Sequence, residues 1–294
     1  MKLKEIGEDA VVEAITRELR FDGRVEIGPG DDCALVRFGQ HLQLLKTDCV
    51  VEGIHFLPDT PARAVGWKAL CRAISDIASM GGEPLDAVIT VAISPERELV
   101  WLTDLYAGLN QAAASYGVNL VGGETSRSPG PIFVSVALTG KVEKERLVVR
   151  SGGKIGDRLY VTGRLGGSLQ GKHLSFEPRL AESRWLSQNC KLHAMIDLSD
   201  GLGSDLPRLA KASGTGFEID FSALPKNAGC SADQALTDGE DYELLFAVSN
   251  EDGAKLEPDW KKAFPELPLT RIGRLTEGNG DPFEKPGYDH FRAR

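Results

Sequence analysis

Basic residues are in short supply in this chain: Lys and Arg number 34 against 43 Asp and Glu, and the formal net charge is -9. No dense basic run stands out, so nucleic acid phosphates find little electrostatic footing. The cysteines are Cys33, Cys49, Cys71, Cys190 and Cys230; they form no CxxC pair and their total is odd, which points away from a disulfide framework. No apolar run approaches membrane-spanning length, and the opening MKLKEIGEDAVVEAITREL reads as an amphipathic, charged helix rather than a signal peptide. The expectation is a cytoplasmic protein with neither nucleic acid nor membrane as partner. The chain also lacks GxxxxGK[ST], and Gly163-Arg164-Leu165-Gly166-Gly167-Ser168 has neither the lysine nor the spacing of such a loop. The HRD and DFG signatures of protein kinases are missing too.

What is present suits a globular protein. At 294 residues, 41% hydrophobic and 26% charged, the chain can bury a sizeable core and is long enough for two domains. Its first half alternates strand-like and helix-like patterns. Cys33 to Val36 and Leu42 to Lys46 read as strands, Pro61 to Met80 as a helix, and Ala87 to Ile93 as a strand. Pro95 to Tyr116 follows as a second long helix, then Asn119 to Val121 and Ile132 to Thr139 as strands. Near Arg150 the glycine-rich stretch SGGKIGD precedes an apolar strand, Arg158 to Thr162, which predicts a domain junction and two units, 1–149 and 150–294. Downstream, a strand ending at Met195 and Ile196, a helix from Gly201 to Ala212, and strands Phe217 to Phe221 and Glu243 to Val248 make the second half mixed as well. The fold class expected is α/β of the α+β type.

Acidic side chains gather where these elements end. Gly28-Pro29-Gly30-Asp31-Asp32-Cys33 precedes a strand and fits either a polar turn or a pair of ligands. Lys46-Thr47-Asp48 combines a hydroxyl with a carboxylate, hard oxygens of the kind magnesium takes, and a surface turn explains it equally well. Asp76 falls in the last turn of its predicted helix, facing the negative end of the macrodipole, so it calls for a cation; Arg72, four residues earlier, or a metal would serve. Gly122-Gly123-Glu124-Thr125 reads as a strand exit where backbone N–H groups can approach a phosphate. Ser199 or Asp200 in Asp197-Leu198-Ser199-Asp200-Gly201 can cap a helix, which explains one acid and not two. Asp238, Glu240, Asp241 and Glu243 crowd one turn, where mutual repulsion is relieved by cations or by spreading apart.

Taken in order, GDDCALV, KTDCVVEGIHF, KALCRAISDIASMGGEP, LVGGET, RSGGKIGDRLYVTG, IDLSDGL and LTDGEDYELLF resemble the thiamine-monophosphate kinase family over nearly the whole chain, as does the late Gly287-Tyr288-Asp289-His290-Phe291. The family shares its ATP chemistry with aminoimidazole ribonucleotide synthetase, selenophosphate synthetase and a hydrogenase maturation factor. The resemblance implies a two-domain architecture of that kind, with homodimers whose N-terminal sheets pair into a barrel. It implies that Asp32, Thr47, Asp48, Asp76 and Glu124, joined by Asp197 and Asp200, hold several magnesium ions, with Asp48, Asp76, Asp197 and Asp200 catalytic. Tyr106, Gly123, Glu124, Arg150 and Ser199 would contact ATP, and His55, Glu240 and Tyr288 the thiamine phosphate. The activity implied is in-line transfer of the ATP γ-phosphoryl group to thiamine monophosphate. Another ATP-using enzyme of the superfamily, or a nucleotide-binding regulator without catalysis, is the alternative.

The chain departs from the family pattern at a few positions. Glu124 stands where aspartate is usual, Lys46 where a small hydroxyl residue is common, and Asp238 where glycine is, and the stretch Gly171 to His193 is short. Lys46 can substitute its own charge for one cation.

Overall fold

The computed structural model describes residues 2–278, 283 and 286–291, so Met1 and Arg294, the outer ends of the two expected units, lie outside the described residues. The N-terminal stretch is broken by Gly7 into two helices, α1 (Leu3–Ile6) and α2 (Glu8–Thr16), instead of one. Gly7 has a φ of 79°, a conformation that ends a right-handed helix and that glycine adopts freely.

Strands β1 (Val25–Ile27), β2 (Ala34–Phe38), β3 (His41–Val51), β4 (Glu83–Ile93), β5 (Asn119–Arg127) and β6 (Phe133–Val142) form a six-stranded sheet in the order β1-β2-β3-β6-β4-β5. All neighbours are antiparallel except β4 and β5. Helices α3 (Ala62–Ser79) and α4 (Leu99–Tyr116) cover one face. The period of two along β3 decides what lies under them: Leu44, Lys46, Asp48 and Val50 point toward α3, while Leu45 and Thr47 point to the bare face. The two helices cross at glycines. A Cβ on Gly66 would lie 2.0 Å from the Leu105 carbonyl oxygen, and one on Gly108 1.9 Å from that of Arg63, so no larger residue fits at this distance of approach.

The second sheet holds β7 (Arg158–Thr162), β8 (Leu192–Asp197), β9 (Gly216–Ile219), β10 (Leu244–Val248) and β11 (Leu269–Thr276) in the antiparallel order β8-β10-β7-β11-β9. Its faces carry separate cores. On one, Leu159, Val161, Ile196 and Leu245 pack against α6 (Leu202–Ala212) and α7 (Ala232–Thr237). On the other, Tyr160, Met195 and Phe246 pack against α5 (Leu180–Asn189) and α8 (Asn250–Ala263) through Leu186, Leu256 and Trp260.

Helix α3 is the spine between the sheets. It touches the first sheet along its length, and it also meets α5 and β8 of the second. The Trp67 indole donates to the Phe176 carbonyl at 2.9 Å, the Ser75 hydroxyl donates to Asp197 at 2.6 Å, and the Ser183 hydroxyl donates to the Ala78 carbonyl. Acids at the strand ends of both halves therefore face one helix.

Candidate active site

Asp32 enters the site just ahead of β2, Asp76 from the last turn of α3, and Asp197 from the end of β8. A carboxylate oxygen of each lies within 4.8 Å of those of the other two, and all three residues are buried. Two hydroxyls one turn apart on α3 orient the flanking pair: Ser79 donates to Asp32 at 2.7 Å and Ser75 to Asp197 at 2.6 Å. Arg150 ion-pairs with the second oxygen of Asp32, and its own N–H donates to Asp31 at 3.0 Å.

Burial raises the Asp197 carboxyl to about 7, and the charge of Asp32 adds to it, against the Ser75 hydrogen bond. Burial also lifts Asp76 well above its ordinary value; the Lys46 ammonium opposes this, and Asp197, Asp48 and Asp32 reinforce it. A buried acid held above the usual carboxylate range marks unbalanced negative charge, which a cation relieves. The donors are hard oxygens without sulfur or imidazole, the set that suits magnesium.

Asp48 stands beside this cluster. Arg72 does not pair with Asp76 as the helical spacing allowed; its Nε donates to Asp48 at 3.1 Å, and Lys46 pairs with Asp76 at 2.8 Å. Both cations reach across from other elements, so the local i,i+4 preference yields to tertiary placement. Burial pushes the Asp48 carboxyl up, yet Arg72 and Lys46 more than offset it and leave Asp48 below its ordinary value. Asp200 is held at the start of α6 by Arg208, which also pairs with Asp205 at 3.0 Å.

Beyond Asp48 lies a second cluster of side chains, reached through Arg72. Glu240 ion-pairs with Lys68, and its carboxyl, which burial would raise, is brought down to about 2 by His173, Lys68 and Arg72. The Lys68 ammonium also donates to the His55 carbonyl at 2.6 Å and lies 2.8 Å from Nδ1 of His173. Nδ1 of His55 accepts from the Val51 N–H at 3.1 Å, and burial, then Arg72, drops the ring to about 3, so it is neutral. A run of rings continues from His55 to His290 at 5.5 Å and on to Tyr288 at 4.9 Å. Tyr288 is anchored by its N–H donating to the Asp200 carbonyl at 2.7 Å.

The acidic turn after α7 spreads instead of clustering. Glu240 points to Lys68, Asp241 accepts from Ser168 at 2.6 Å, Glu243 meets Arg179 at 2.6 Å, and Asp238 accepts from the Gly167 N–H at 2.8 Å. The backbone makes this possible: Glu240 and Tyr242 have φ of 57° and 50°, sparsely populated for such residues and locked by N–H bonds to the Ser199 and Leu198 carbonyls at 2.6 and 2.8 Å.

Of the residues expected at the site, Asp32, Asp76 and Asp197 meet, Asp48 and Arg150 adjoin them, and His55, Glu240 and Tyr288 belong to the second cluster. Ser199 supplies the carbonyl that holds Glu240, and Tyr106 packs half-buried on α4. Thr47 and Glu124 are not drawn in. Thr47 is exposed on the bare face, its hydroxyl 3.5 Å from that of Ser135, and Glu124 is exposed on edge strand β5 in register with Thr90. The expected strand exit at Gly122–Thr125 is itself strand, since β5 runs on to Arg127; Gly123 permits the close pairing, because its Cβ would sit 1.9 Å from the Ile89 carbonyl oxygen. Ser75, Ser79, Lys68 and His173 had no assigned role. The i,i+4 spacing of Ser75 and Ser79 around Asp76 was a usable signal, whereas nothing near His173 pointed to Glu240.

Residues 30–142 match the family model for the AIR synthase related protein, N-terminal domain, and residues 166–283 that for its C-terminal domain. Thiamine-monophosphate kinase of Rhodopirellula baltica is 35% identical, the alignment covering 92% of this chain and 89% of that protein. The Aquifex aeolicus protein of the same name is 34% identical over 99% of this chain and 100% of its own. A solved structure described as AaThiL complexed with AMPPCP and TMP superposes with a TM-score of 0.85 at 32% identity, covering 99% of each chain. With both domain models matched in order and relatives of this identity along its whole length, the chain belongs to the thiamine-monophosphate kinase family.

Proposed function

We propose that this chain transfers the γ-phosphoryl group of ATP to the phosphate of thiamine monophosphate, giving thiamine diphosphate and ADP. The observation that carries the reading is the meeting of Asp32 and Asp76 with Asp197 from the other sheet, near a second cluster of Glu240, Lys68 and a run of rings. Relatives named for this activity support it.

In this reading Asp32, Asp48, Asp76, Asp197 and Asp200 hold magnesium, which when bound neutralises phosphate charge. The acceptor is already an anionic oxygen, so no general base is asked of the chain, and its work is positioning and charge. Arg150, Ser199, Tyr106 and Gly123 serve the nucleotide. Glu240, ionised at any pH above about 2, and the rings of His55 and Tyr288 suit a cationic thiazolium.

The working units are 1–149 and 150–294, and two copies pair through the bare face of the first sheet. Leu45 and Val88 on that face are 40% and 43% exposed, apolar area that a partner sheet would cover. Thr47 and Glu124 share this face, so their part in metal or nucleotide binding depends on that pairing. A coupled ADP assay tests the function: with magnesium, ADP release is expected with thiamine monophosphate and not with thiamine or without acceptor. Equal release in all three would mean a different reaction.

A further inference from the structure

We infer that Arg72 is a further catalytic residue of this reaction, the guanidinium that grips the acceptor phosphate where the carboxylate cluster and the thiamine pocket adjoin. The inference rests on the phosphoryl-transfer reading above. Arg72 projects from α3, and its Nε is spent on Asp48 at 3.1 Å. Its Nη1 is shielded from solvent and has no hydrogen-bond partner among the described residues; an oxygen of Glu240 lies 3.9 Å away, beyond hydrogen-bond reach. A buried donor left unmet is destabilising, the more so when charged, so a fold keeps one where something else completes it.

The neighbouring cations are already committed. Lys68 is bound to the His55 carbonyl, His173 and Glu240, and Lys46 to Asp76. Unlike these two lysines, Arg72 keeps a buried donor free; Arg150 has an unpartnered buried Nε as well, on the Asp32 side, whereas the two carboxylate neighbours of Arg72 belong to the two halves of the site. Asp48 lies on the side of the magnesium cluster, and Glu240 on the side of the rings. That boundary is where the γ-phosphate of the nucleotide and the phosphate of the acceptor have to approach. The missing partner is an anion with fixed oxygens, and a planar guanidinium with one edge anchored presents its remaining N–H groups to a phosphate as a fork. Charge that spreads over the transferring phosphoryl oxygens strengthens the same contact.

Arg72→Gln and Arg72→Lys separate this role from simple support of Asp48. Arg72→Gln is expected to lower kcat about 100- to 1,000-fold, as loss of one charge-stabilising donor does, with the KM for ATP little changed and partial rescue by added methylguanidinium. Arg72→Lys keeps a charge near Asp48 without the fork and is expected to stay at least about tenfold below wild type. Calorimetric titration supplies a readout independent of turnover: wild type binds thiamine monophosphate more tightly than thiamine, and Arg72→Gln loses that difference. Retention of the difference in a folded Arg72→Gln, or full recovery of its kcat by raised magnesium, would overturn the assignment. If wild type turns over no thiamine monophosphate, the functional reading fails, and the titration still decides whether Arg72 grips the phosphate.

Discussion

Asp197→Asn is expected to make the metal-free protein more stable at pH 8 while removing nearly all turnover. The carboxylate is buried, and its one neutral hydrogen bond, from Ser75, can be made equally to an amide oxygen. In the unfolded chain the group ionises near 3.8, in the folded protein near 7, because burial and the Asp32 charge oppose ionisation. The folded state therefore binds the proton more tightly, and as pH rises from about 4 to about 7 the unfolded state is progressively favoured. By pH 8 the cost of ionising the buried group is on the order of 4 kcal/mol, and the substitution removes it. Urea unfolding in chelator at pH 4 and pH 8 checks this: the mutant's advantage should be near zero at the lower pH and large at the higher. Added magnesium should stabilise wild type more than the mutant at pH 8. Activity is expected to fall about 100- to 1,000-fold, since a ligand to the charge-neutralising ion is gone.

Arg179→Met is expected to act in the opposite direction, costing about 3–5 kcal/mol of stability, the range for an uncompensated buried charge. Arg179 meets Glu243 with two N–H groups at 2.6 and 2.7 Å, and Glu243 also accepts from Thr162 at 2.9 Å and Lys172 at 3.2 Å. Glu243 is 1% exposed, so its charge has no solvent to fall back on. Both Glu243 oxygens are satisfied within the chain. The remaining cation, Lys172, is a third exposed and recovers only part of the loss. A double variant that also carries Glu243→Leu should regain much of the stability, because paired removal leaves no orphan charge. A fall in the urea midpoint for the single variant, reversed in the double, is the expected pattern; a single variant as stable as wild type would deny Glu243 its structural role.

These opposite responses separate two kinds of acid that look alike in sequence. The motif LTDGEDYELLF offers Asp238, Glu240, Asp241 and Glu243 as one cluster, and nothing in their spacing says that each turns to a different partner. The positive φ of Glu240 and Tyr242 does that, and it is imposed by carbonyls of residues 198 and 199, far away in the chain. Strand alternation, by contrast, was legible. Thr47 and Asp48 are neighbours on β3, so they must face opposite sides, and only Asp48 can look toward α3. The span of α3 is close to the pattern that Pro61 opens, because its apolar face continues without interruption to the glycines after Met80. Helix α4 starts later than Pro95 suggested, at Leu99, since Pro95 through Glu98 form a turn in which Arg97 bonds back to the Ser94 carbonyl. Lys46 and Arg72 exchange the partners that local spacing would give them, a tertiary choice that no window of sequence contains.

Whether acids from both sheets share one cation is open to direct measurement. Manganese, a spectroscopic substitute for magnesium, can be titrated into wild type, Asp76→Asn and Asp197→Asn in the presence of ATP and followed by electron paramagnetic resonance. Either substitution, one in α3 beneath the first sheet and one at the end of β8 in the second, should weaken the same bound manganese by at least about tenfold. Wild-type manganese affinity in the Asp197→Asn protein would contradict a cation held jointly by the two sheets.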